Sequence, residues 1–110
     1  MKKSYALKWI KALRSGKFKQ TTGHLKDDLG HCCLGVLCTL TPYKNNYTKM
    51  GSNLDSSLIN ETLPQAVMKE TGIHDSVGGL PNGVCLSKLN DDGQSFEEIA
   101  DIIERNWKIL

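Results

Sequence analysis

Cys32-Cys33-Leu34-Gly35-Val36-Leu37-Cys38-Thr39-Leu40 decides the fold, because a run that is apolar almost all round buries itself whichever regular structure it adopts. A buried helix over 32–40 is the favoured reading, with Pro42 ending it. Gly35 costs about 1 kcal/mol against Ala in a helix interior. Close approach of another backbone offsets that cost, and the first helix is the candidate neighbour.

Outward from this centre, residues 3–15 form an amphipathic pattern. Ala6, Trp9, Ile10 and Leu13 recur at i, i+3, i+4 and i+7, and Gly16 stands where a C-terminal cap falls. Lys3, Lys8, Lys11 and Arg14 fall within roughly 140° of the opposite face. Between the two helices, residues 17–31 carry β-branched residues and glycines at turn spacing, which predicts a short irregular β-hairpin.

Beyond the buried run, residues 41–57 are rich in Asn, Ser and Thr and read as a long surface loop. Pro64 opens a short helix that Gly72 closes. Residues 78–83 are a turn by composition. Ser95 and Glu98 form a capping box, and Phe96, Ile99, Ala100, Ile103 and Trp107 then follow along one helical face. There are no internal repeats. The expected fold is α+β: one small domain spanning 1–110, mainly helical, with three to four helices and a short hairpin.

Length and composition agree with one modest core, at 110 residues and 39% hydrophobic content. Lys8, Lys11 and Arg14 interrupt any signal-peptide core, and no stretch reaches the ~18 apolar residues of a membrane span. The expectation is a bacterial cytoplasmic protein without a membrane partner, its four cysteines reduced. The two N-x-T sequons, at Asn46 and Asn60, carry no information in that setting.

Charge is segregated. All eight basic residues of the first 26 stand without an acidic one, whereas the remaining 84 carry six basic against twelve acidic residues. A clustered field of this kind steers association with an anionic partner. The alternative is that these cations solvate the outer face of the first helix and pair with the acidic body.

Catalytic and metal motifs are weak. His24, His31, Cys32, Cys33 and Cys38 cluster in sequence, but no C-x-x-C knuckle occurs, and adjacent helical cysteines point about 100° apart. Core packing is the reading for these thiols, so no metal ligand, cofactor or catalytic residue is assigned. Nucleophile elbow, phosphate-binding Gly-rich loop and H-E-x-x-H are absent. Residues 86–100 resemble the opening of a helix-turn-helix, yet no room remains for a recognition helix and the segment is acidic. Nucleic-acid binding therefore ranks last.

Trp9-x-x-x-Leu13-Arg14-Ser15-Gly16-x-Phe18-x-Gln20, Gly23-x-Leu25, the Cys32–Cys38 run and Leu89-Asn90-Asp91-x-Gly93-x-Ser95-Phe96 together resemble a group of small phage and prophage proteins. The resemblance implies a phage accessory protein acting in the host cytoplasm, and it brings no catalytic residues with it. The expected function is a counter-defence or host-takeover protein, not an enzyme, that sequesters an anionic nucleotide-like small molecule. Its alternative is inhibition of an acidic host protein by direct contact. Candidate binding residues are Lys8, Lys11, Arg14, Ser15, Lys17, Lys19, Gln20, Asn90 and Asp91. A homo-oligomer is left open.

Overall fold

The computed structural model describes residues 1–26, 29–43 and 62–110. From residue 44 onward, the surface loop expected over 41–57 lies outside the described residues. The described chain forms five helices: α1 (Lys3–Arg14), α2 (Cys33–Thr39), α3 (Gln65–Thr71), α4 (Leu86–Asp91) and α5 (Phe96–Asn106). A short 3-10 turn, Trp107–Ile109, closes it.

The apolar stripe of α1 buries Ala6, Trp9, Ile10 and Leu13, and α1 packs chiefly against α5, whose Phe96, Ile99, Ala100 and Ile103 are buried in turn. Behind them, every residue of α2 from Cys33 to Cys38 is buried. Trp9 ties these layers by donating from its indole Nε1 to the Cys33 carbonyl at 2.8 Å. A buried indole N–H requires such a partner. The capping box forms, with Ser95 N donating to Glu98 Oε1 and Glu98 N donating to Ser95 Oγ, both at 3.1 Å.

Three expectations are corrected. No strand occurs among the described residues, so the fold is all-helical there and not α+β. In place of the hairpin, residues 17–31 make isolated bridges that converge on His31, parallel to Gln20 and antiparallel to Lys26. His31 N donates to the Lys19 carbonyl and its own carbonyl accepts from Thr21 N, at 2.8 and 2.9 Å. A hairpin ladder needs two strands in continuous register. Here Gly23, at φ 84°, turns the chain and gives its N–H to the Asp91 carboxylate instead.

The second correction is the helix count. The expected three or four become five among the described residues, the short α4 over Leu86–Asp91 being one that no expectation covered. Gly35 does accept a close backbone, but the neighbour is the 20–26 loop: a Cβ on Gly35 would sit on the Leu25 carbonyl. That carbonyl also accepts from Cys32 N at 3.1 Å.

Candidate functional site

α1 carries one exposed strip of mixed character besides its core stripe. Lys3, Leu7, Lys11 and Arg14 lie at i, i+4, i+8 and i+11, which places them in one strip about 80° wide. Leu7, 54% exposed, sits in the middle of that strip. An apolar side chain held in water among cations was visible in the spacing, since Leu7 falls outside the 6-9-10-13 core stripe. Sequence reading followed the charges and missed it. Leu7, Ile10, Lys11, Arg14, Ser15 and Lys17 line an open groove of about 540 Å³ at the C-terminal end of the helix.

The cations differ in their availability. Arg14 is engaged by α5: its Nη2 meets Asp101 Oδ1, its Nη1 lies 3.1 Å from Glu104 Oε2 and its Nε 3.9 Å from Glu97 Oε1. These carboxylates hold the guanidinium above its ordinary pKa, hydrogen bonds to Asp101 first. Lys3, Lys11, Lys17 and Lys19 are exposed and make no ion pair among the described residues. Lys8 Nζ lies 5.3 Å from the centre of the Tyr5 ring, a cation–π distance. Ser15 finishes the helix: its Oγ donates to the Ala12 carbonyl at 2.6 Å and accepts from Lys17 N at 3.2 Å.

Gln20 and Asn90 are interior fasteners. Gln20 Nε2 donates to Asn90 Oδ1 at 2.8 Å and to the Gln94 carbonyl at 2.7 Å, and its Oε1 accepts from Phe96 N at 3.1 Å. It therefore satisfies the first orphan N–H of α5 from 76 residues away. Asn90, fully buried, accepts from Cys33 N at 3.1 Å and donates from Nδ2 to the Thr21 carbonyl at 2.8 Å. All polar atoms of the two amides are bonded within the protein, so neither presents a group to a ligand. Asp91 stays at the surface, with Gly23, His24 and Cys32 around it.

The thiols are shielded. Burial pushes Cys32 up to about 11 and Cys38 up to about 12, and Cys33 well above its ordinary value. At neutral pH they are thiols, which are poor nucleophiles and poor metal ligands. No group of three or more His, Cys, Asp or Glu is placed to hold a metal among the described residues. No described helix is long and apolar enough to cross a membrane.

The geometry defines a small protein, helical in its described residues, with a cationic, partly apolar strip on its first helix. Residues 1–107 match the family model described as Domain of unknown function (DUF8296), and the chain belongs to that family. No curated protein and no solved structure matches it.

Proposed function

We propose that the chain is a binding protein that docks an acidic segment of another protein along the α1 strip, with Leu7 as the apolar anchor and Lys3, Lys11 and Lys17 as the surrounding cations. The observation that carries this reading is Leu7, half exposed between lysines that have no carboxylate partner among the described residues. An apolar anchor inside a charged rim is the anatomy of a protein-protein contact, in which the rim sets orientation and encounter rate.

A sequestered nucleotide fits the same strip less well. Small-molecule sites bury most of their ligand and converge donors on it, whereas this groove is open, and its only guanidinium, Arg14, is already committed to three carboxylates. The setting implied by the resemblance is a bacterial cytoplasm during infection, where an accessory protein of this kind inhibits or redirects an acidic host protein.

The test is affinity capture from bacterial lysate with the wild-type chain, Leu7→Asp and the Lys11→Glu/Lys17→Glu pair, each checked for an unchanged melting curve. The expected result is one host protein retained by the wild type and lost with both variants. Retention indifferent to both substitutions overturns the reading. So does calorimetric binding of cyclic or ADP-ribose-type nucleotides that is abolished by the lysine pair, which restores the small-molecule function.

A further inference from the structure

A second hollow lies away from the α1 strip, between the 20–26 loop, the start of α2 and α4. It has a volume of about 250 Å³ and is lined by Gly23, His24, Cys32, Thr62, Ser87 and Asp91, with Val77 as an apolar wall. At ~30 Å³ per water, this is room for about eight waters, or a ligand of similar heavy-atom count.

Its polar groups are set in advance. Asp91 Oδ1 accepts from Gly23 N at 2.9 Å and from Asn90 Nδ2 at 3.4 Å, which fixes the carboxylate, while Oδ2 makes no hydrogen bond among the described residues. Asn90 in turn is held by Cys33 and Thr21. The carboxylate is therefore anchored through one oxygen with the other left over. His24 forms part of the wall, and its Nδ1, sealed from solvent, has no hydrogen-bond partner among the described residues. Among the described residues neither Lys nor Arg lines the hollow, and the one formal charge there is that of Asp91. The Cys32 thiol, kept neutral by burial, adds none.

We infer that this hollow is a binding site for a small molecule carrying a primary ammonium group, which Asp91 Oδ2 receives while Ser87 and Thr62 bond to its polar remainder. The site is independent of the docking strip: the lining residues are shared by neither. Anions are disfavoured by the same carboxylate, so the two surfaces take ligands of opposite charge.

Ethanolamine, with ethylene glycol as its uncharged counterpart, tests this on the full chain by amide-resolved NMR titration. Ethanolamine is expected to give saturable shifts centred on Gly23, Cys32, Ser87 and Asp91, and ethylene glycol at the same concentrations none. Asp91→Asn keeps an Oδ1 acceptor for Gly23 N but removes the charge, and is expected to weaken binding about tenfold, the scale of one charge-assisted hydrogen bond. Ser87→Ala, a change that leaves Asp91 and its fastening intact, is expected to weaken it a few-fold and serves if the Asp91 variant does not fold. Absence of saturable shifts at the hollow, an equal response to ethylene glycol, or affinity unchanged in a folded Asp91→Asn or Ser87→Ala protein overturns the inference.

Discussion

Asn90 makes four hydrogen bonds through two side-chain atoms and so ties α4 to α2 and to the 20–26 loop. Its Oδ1 receives Gln20 Nε2 and Cys33 N, and its Nδ2 reaches the Thr21 carbonyl and Asp91. The Asn90→Ala substitution strands the buried Cys33 N and Thr21 carbonyl and leaves Gln20 Nε2 with the Gln94 carbonyl alone. At about 1–3 kcal/mol for each buried group left unpaired, a loss of about 3 kcal/mol or more is expected, read as a lower urea midpoint at unchanged m-value. The buried thiols act on stability through pH. An unfolded cysteine titrates near ~8.5, whereas Cys32 in the fold titrates at about 11. Between those values the unfolded chain holds fewer protons than the folded one, so stability falls as pH rises; below ~8.5 the contribution is fully present. Urea midpoints are expected to drop from pH 8.5 to 11 and to drop less steeply in Cys32→Ala, by on the order of 3 kcal/mol at the alkaline end.

Elements differ in how far their residues announce them. α1, α2, α3 and α5 follow from local signals: a 3.6-residue apolar period, an all-apolar run, Pro64 before and Gly72 after, and the Ser95–Glu98 box. α4 has no such signal, since Cys85 makes no side-chain cap and its six residues are held by Gln20, the α2 N-terminus and the 20–26 loop. The absent hairpin has the same cause: Gln20 and Gly23 direct their polar groups to α4 and α5, partners about 70 positions away that no local pattern reveals. The candidate residues divided along this line too, because lysine exposure follows from helix phase while the enclosure of Gln20 and Asn90 is tertiary. Local and tertiary contributions are separable by mutation. Ser95→Ala removes one cap and is expected to cost about 1 kcal/mol. Gly35→Ala forces a methyl against the Leu25 carbonyl, backbone against backbone, and is expected to cost about 3 kcal/mol. Thermal unfolding that ranks the two the other way would show that the 20–26 loop yields where α2 meets it.

At the scale of the whole molecule, a net charge of +2 conceals a basic N-terminal quarter and an acidic remainder. Among the described residues the two meet in ion pairs at one place, where α5 brings Glu97, Asp101 and Glu104 to Arg14. Farther along α1, Lys3, Lys8 and Lys11 have no counterpart of that kind among the described residues, so the field of the strip survives folding. Its strength is then a balance between holding α5 to α1 and attracting a partner, and the two can be traded. Asp101→Asn removes one carboxylate from Arg14, which should lower the melting temperature while raising the positive potential over the groove. Lys11→Gln leaves the α1–α5 contact intact and lowers that potential. Against the partner captured by the wild-type strip, stopped-flow association at low ionic strength is expected to be about two- to fivefold faster for Asp101→Asn and slower by a similar factor for Lys11→Gln. Both differences should fade as salt shortens the screening length from ~30 Å at 0.01 M to ~8 Å at 0.15 M. Equal rates across the three proteins at low salt would mean that docking is governed by Leu7 and shape alone, with the lysines serving only to keep the strip in water.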